Sequence, residues 1–304
     1  MSIESVAIIG LGLLGGSIGL AVREHCPSIA TTGYDRDPDV RRRARELELV
    51  QTVCDTPGEA VKGADLVILC VPVGAMAEAA GDIAGSLAAH AIVSDVGSSK
   101  QSVTTALARA LPNATIIPAH PVAGTEQSGP EAGFAALFAN RWCILTPPED
   151  ADRQAVAALA EFWTALGART QVMDAAHHDL VLAVTSHIPH LIAYTIVGTA
   201  SDLEDVTRSE VIKYSAGGFR DFTRIAASDP VMWRDVFLSN RDAVLEVLGR
   251  FTEDLTALQR AIRSGDGDTL HDLFARTRAI RREVIEEGQD DRRPDFGRGD
   301  HVKS

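Results

Sequence analysis

Short apolar runs recur along the first 173 positions, separated by stretches whose apolar residues return every three or four positions. The runs SVAIIG (5–10), ATTGYD (30–35), ADLVILCVP (64–72), AIVSDVG (91–97), NATIIPAH (113–120), RWCILTP (141–147) and ARTQVM (168–173) have the length of strands. The unbroken ones among them read as strands buried on both faces. Between them, residues 11–25, 39–49, 74–87, 99–111 and 151–167 carry helical spacing. Strand–helix alternation at this pitch predicts an α/β domain, a Rossmann-type doubly wound parallel sheet with right-handed crossovers. From about residue 174 the strand signal stops. Helical periodicity continues to about 287, broken once at SGDGD (264–268), and the last stretch, GQDDRRPDFGRGDHVKS, is polar and rich in Gly and Pro. The expected division is a nucleotide-binding domain over 1–173, an all-α domain over 174–287 whose helical hairpin suits dimerisation, and a disordered tail over 288–304.

Composition narrows the classes without choosing one. A formal net charge of −13 argues against a nucleic-acid partner, which needs a basic face. An anionic substrate would therefore need a local cation. Four scattered cysteines, Cys26, Cys54, Cys70 and Cys143, form no CxxC pair and suggest reduced thiols in a cytoplasm. No secretory signal is visible, and no uninterrupted apolar stretch reads as long enough to span a bilayer.

In a doubly wound sheet, ligands bind beyond the carboxyl ends of the strands, so the residues following each strand carry the argument. After the first strand comes Gly10-Leu11-Gly12-Leu13-Leu14-Gly15, a GxGxxG pattern set between a strand and a helix. Asp35 ends the second strand at the spacing the dinucleotide fingerprint requires. Gly10 and Gly12 permit a tight turn and close approach of a pyrophosphate, and Gly15 permits close packing of helix on strand. Asp35 should accept hydrogen bonds from the adenine ribose and repel a 2′-phosphate, which favours NAD. Arg36, able to bind that phosphate, keeps NADP open. Leu13, Leu14 and the pair Val71–Pro72 at the end of the third strand complete the expected cofactor contacts.

Two further loops, SDVGSSK (94–100) and AHPVAGTEQSG (119–129), converge on the nicotinamide end. His120 then has a hydroxyl from Ser98 or Ser99 and a nicotinamide ring as neighbours, and an imidazole there can take a proton near neutral pH. A histidine that merely satisfies a turn is the competing reading. In the helical half, His187 and His190 flank Pro189 and read equally as core histidines of a kinked helix; without a carboxylate at matching spacing they do not suggest a metal site. His177 and His178 read as exposed at a helix start. Gly217-Gly218 reads as a turn close to a ligand, followed by Asp221 and Arg224 at i,i+3, which a surface ion pair would also explain. SDP (228–230) reads as a helix N-cap with Pro in the first turn. Trp142 and Trp233 read as core or interface aromatics.

The motifs GLGLLGGS, SDVGSSK, HPVAGTEQSG, SHIPH and GGFRDFTRIAASDPVMWRD, in that order and spacing, resemble those of the prephenate/arogenate dehydrogenase family of tyrosine biosynthesis. The resemblance spans roughly residues 5–285. It implies a Rossmann domain followed by a helical dimerisation domain, and NAD(P)-dependent oxidative decarboxylation of prephenate, of arogenate, or of both cyclohexadienyl substrates. It assigns His120 as the catalytic histidine, oriented by Ser98, with Thr125 and Glu126 shaping the loop. Arg224 would hold the ring carboxylate, and His190, Gly217 and His187 would lie near the substrate side chain. Asp221 would position Arg224 or close the pocket. Two other readings share the scaffold. A β-hydroxy-acid dehydrogenase would use a lysine of the second domain, where Lys213 lacks the surrounding motif. A non-catalytic NAD sensor would have no use for His120, Ser98 and Arg224 together.

Overall fold

The computed structural model describes residues 2–125, 127–202, 210, 213–214 and 216–286. Five of the predicted strand regions contribute to one parallel sheet. Strands β1 (Ser5–Ile9), β2 (Ala30–Tyr34), β3 (Thr52–Val53), β4 (Leu66–Leu69), β5 (Ile92–Asp95) and β6 (Thr115–Ile116) run in the order β3-β2-β1-β4-β5-β6. Alternate residues face opposite sides. Val6, Ile8, Leu66 and Ile68 join one core cluster, while Ala7, Ile9, Val67 and Leu69 join another. That is why these strands read as unbroken apolar runs. Helix α1 (Leu13–His25) buries Ile18, Ala21 and Val22 on the first face, whereas α4 (Met76–Ile83) and α5 (Gln101–Ala110) bury Met76, Ala80, Val103 and Leu107 on the second. Strand β3 and the five-residue helix α3 (Pro57–Val61) are too short to show a period and do not stand out in the pattern. The helix expected over 39–49 ends earlier: α2 spans Pro38–Glu46, and Glu48 takes a left-handed φ of 50°.

The later strands depart from a single parallel sheet. The run expected as one strand over 113–120 divides at Pro118, which has no N–H to give a ladder. Its second part, β7 (Ala119–Pro121), pairs antiparallel with β8 (Trp142–Leu145), placing His120 opposite Ile144. Strand β9 (Arg169–Val172) pairs parallel with β8, and the three form a second sheet. His120 therefore lies just where the chain leaves the large sheet.

Beyond β9 the described elements are helical. Helix α7 (Ala175–Leu182) passes through a π turn (Ala183–His187) into α8 (Ile188–Asp202). The expected proline kink takes this form because Pro189 cannot donate to the residue four before it and its ring would crowd that carbonyl. The N–H of Ile188 instead reaches the carbonyl of Ala183. The three segments make one helical run, 175–202, that by length and mean hydropathy (1.6) could cross a membrane, a length of apolar helix the sequence pattern does not disclose. His178, Asp179 and His187 within it are buried against protein. Helix α9 (Gly217–Thr223), a 3₁₀ turn (Arg224–Ala227), α10 (Pro230–Ser239), α11 (Arg241–Ser264) and α12 (Gly267–Glu286) follow. The N-cap at Asp229 forms as expected, its side chain accepting from the N–H of Met232 at 2.7 Å. The tail over 288–304 lies outside the described residues.

Candidate active site

The glycine loop has the form a diphosphate needs. Gly10 sits at φ +101°, and a Cβ there would fall 2.5 Å from the carbonyl oxygen of Cys70. A Cβ on Gly15 would lie 1.9 Å from the carbonyl oxygen of Gly10, so loop and helix touch backbone to backbone. A Cβ on Gly12 would meet nothing within 4 Å; this is the open side, where a ligand can approach. Gly12 is also the N-cap of α1, and no side chain caps that helix. Its first-turn N–H groups thus remain available to an anion. Asp35 closes the loop from the end of β2: one carboxylate oxygen accepts from the N–H of Leu11 at 2.9 Å and the other from Asp37 at 3.0 Å. Arg36 is exposed beside it. Leu13 and Leu14 open α1, and Val71 and Pro72 follow β4 on the same edge of the sheet. These residues fit a dinucleotide with its ribose at Asp35.

His120 is buried, and its Nδ1 lies 2.9 Å from Nε2 of His178. His178, read from the sequence as exposed, is fully buried, with its Nδ1 2.9 Å from the Asp179 carboxylate; His177 is exposed as expected. The spacing conceals this because only one face of α7 docks on the first half. Asp179 also accepts the backbone N–H groups of Lys100 at 2.6 Å and Gln101 at 3.0 Å. Beneath His120, the fully buried Lys100 ammonium pairs with Asp95 and donates to the carbonyl of Ala119 at 2.7 Å. Asp95 in turn accepts from the N–H of Gly97 at 2.7 Å. The loop that offers Ser98 is thus held from within by an ion pair.

Burial holds the His120 pKa well below its ordinary value, and His178, Lys100 and His187 push the same way. Burial likewise lowers His178, against the pull of Asp179. For His187 burial brings the pKa down to about 4. All three imidazoles are therefore neutral at pH 7 and accept or donate hydrogen bonds without carrying charge.

Of the other residues singled out in the sequence, Ser98 is half-buried, and its backbone bears on the protonation of His187. His187 Nδ1 lies 3.1 Å from Nδ2 of Asn240, which also donates to the Asp179 carbonyl at 2.8 Å. His190 stacks on Trp233, ring centroids 3.7 Å apart, and the half-buried Arg224 is near enough to disfavour its charged form. His120, Ser98, His187, His190 and Arg224 thus belong to one neighbourhood between the two halves. Gly217, Gly218, Asp221 and Thr125 do not join it through any contact described. Gly217 and Gly218 open α9 rather than forming a turn, and both are exposed. Asp221 is exposed and lies 3.5 Å from Arg220. Thr125 accepts from the N–H of Gln127 at 3.1 Å, and Glu126 lies outside the described residues. Ser99, the other candidate hydroxyl, is buried with Ser102 and Ser239 and ties α5 to α10.

Residues 18–172 match the nucleotide-binding domain of prephenate dehydrogenase, and residues 174–276 match its dimerization domain. The chain belongs to the prephenate dehydrogenase family. It is 48% identical over 278 residues to the cyclohexadienyl dehydrogenase of Zymomonas mobilis, covering 91% of this chain and 95% of that one. It is 33% identical to the prephenate dehydrogenase of Bacillus subtilis, over 89% of this chain and 73% of that one. The solved structure of Aquifex aeolicus prephenate dehydrogenase with hydroxyphenyl propionate and NAD+ superposes with a TM-score of 0.86 at 31% identity, covering 93% and 99% of the two chains. The sequence pattern singles out neither Lys100, Asp179 nor Asn240, places His178 at the surface, and leaves the stacking of Trp233 on His190 unread. The contacts that join the two halves lie far apart in the chain, 58 residues for His178 to His120 and 79 for Asp179 to the Lys100 N–H, and no periodicity records such a pairing.

Proposed function

We propose that this chain oxidises and decarboxylates prephenate with NAD, forming 4-hydroxyphenylpyruvate, carbon dioxide and NADH. The observation that carries the reading is the position of His120: buried, neutral, just beyond the carboxyl edge of the large sheet, and set against His178 and His187 of the helical half. Bound NAD supplies the hydride acceptor. As hydride leaves C4 of the ring, His120 takes the proton of the C4 hydroxyl, and the electron pair left on oxygen moves in to form the C4 carbonyl. The C1–carboxylate bond then breaks, its electron pair enters the ring, and the hydrogen returns from His120 to the phenolic oxygen. Aromatisation drives the sequence forward, so the protein's work is alignment and polarisation. Ser98 orients the hydroxyl, and the Arg224 guanidinium holds the ring carboxylate in a bidentate fork. His190 and His187 lie toward the substrate side chain, and the family resemblance adds Gly217, Thr125, Glu126 and Asp221 as substrate-binding residues. The division at residue 173, a cytoplasmic location and a homodimer through the helical half belong to the same proposal.

Arogenate is the second substrate to consider, because the relative at 48% identity is named for cyclohexadienyl substrates rather than prephenate alone. The deciding experiment follows NADH formation with prephenate and with arogenate, each with NAD and NADP. Prephenate turnover with kcat/KM higher for NAD than NADP is expected; no turnover of either substrate would refute the reading. In the same assay, Arg224→Ala should raise the prephenate KM by an amount equivalent to about 2–5 kcal/mol and leave the NAD KM near parental. An unchanged prephenate KM would return Arg224 to a surface ion pair, worth at most about 1 kcal/mol.

A further inference from the structure

We propose that Asp179 and His178, both from the helical half, act as positioning residues that fix the tautomer of His120, so that docking of the two halves makes the catalytic base. The inference rests on the proposed role of His120 and adds a source for its reactive form. Both oxygens of the Asp179 carboxylate already accept backbone N–H groups, from Lys100 at 2.6 Å and Gln101 at 3.0 Å. A carboxylate so engaged has no hydrogen to give, and the His178 Nδ1 at 2.9 Å must be the donor. Neutral His178 then presents a lone pair at Nε2. The atom 2.9 Å away, Nδ1 of His120, must in turn carry the hydrogen. His120 is left with its lone pair on Nε2, the nitrogen turned away from His178 and free to accept from a substrate hydroxyl. Without this chain of donors a neutral imidazole divides between two tautomers, only one of which has its lone pair at Nε2.

The chain crosses between the halves twice. Asp179 caps α5, whose own N-cap residue Lys100 supplies no side-chain cap, and Asn240 donates to the Asp179 carbonyl at 2.8 Å. Helix α5, α7 and the start of α11 are thereby held together at one residue. Undocking the helical half would release the α5 N–H groups and the His120 tautomer in the same step. The arrangement resembles the orienting carboxylate–histidine pairs of hydrolases, with a second imidazole inserted between carboxylate and base.

The test has an arm that requires no substrate. Ring-¹⁵N spectra of the intact protein at pH 7 should show His120 protonated at Nδ1 and bare at Nε2, and His178 likewise. A His120 protonated at Nε2 would overturn the proposal whatever reaction the protein performs. Two variants supply the kinetic arm. His178→Gln keeps an acceptor for the His120 Nδ1–H, while His178→Leu has a similar size and none. His178→Leu should lower kcat roughly 10²-fold with the NAD KM unchanged, and should show mixed His120 tautomers. His178→Gln should recover most of the lost kcat. Equal kcat in the two variants, or a single Nδ1–H tautomer in both, would assign His178 to packing alone. If the parent turned over neither prephenate nor arogenate, the reaction assignment would fail while the tautomer result stood on its own.

Discussion

Three buried histidines in one cluster tie folding to pH. His120, His178 and His187 all have pKa values lowered by burial, to about 4 for His187. In the unfolded chain each returns to about 6.5. Between the two values the unfolded state binds more protons, so stability rises with pH there and falls as pH drops below about 6.5. The urea midpoint at pH 5 should therefore lie below that at pH 7; equal midpoints would show that these rings are charged or solvated in the fold. At this scale the sequence is legible where the chemistry is local. The glycines, Asp35 and His120 announce themselves by sitting at strand ends. Lys100 and Asp179 do not, because a charged side chain in a loop or a helix start looks like a solvated one until the packing that buries it is known.

Among the elements, the β1–α1 junction offers the sharpest contrast. Gly15→Ala would place a methyl group 1.9 Å from the Gly10 carbonyl oxygen, whereas Gly12→Ala would place one in open space. Gly15→Ala should lower the thermal midpoint and abolish NAD binding together. Gly12→Ala should leave the midpoint within a degree or two and raise the NAD KM, because its methyl fills the approach of the diphosphate. The reverse order, checked by thermal melts and cofactor titration, would mean the phosphate lies elsewhere. The strong elements were visible in the sequence because their periods are long enough to read. The break at Pro118, which turns His120 onto a second sheet, and the π turn before Pro189 were visible only as prolines. A proline forbids the regular ladder, yet the geometry that replaces it depends on what packs nearby.

For the whole molecule, the two halves divide the labour. The first presents the dinucleotide loop and His120; the second presents Arg224, His190 and the Asp179–His178 pair. Fold and reaction class could be read from the order of motifs along the chain, while the way the halves meet could not. Exposed apolar residues such as Leu238, Leu245, Leu255, Ile262 and Phe274 spread over the helical half, which matches a dimerization domain. With a net charge of −13, the molecule repels a dianionic substrate at long range, so recognition has to be local. The kcat for prephenate oxidation by His120→Asn at saturating NAD tests the role of His120 most directly. A fall of roughly 10²–10⁴ in kcat is expected, with the NAD KM and the thermal midpoint close to parental. A variant that turns over prephenate at near-parental kcat would contradict the assignment of His120 as the catalytic base.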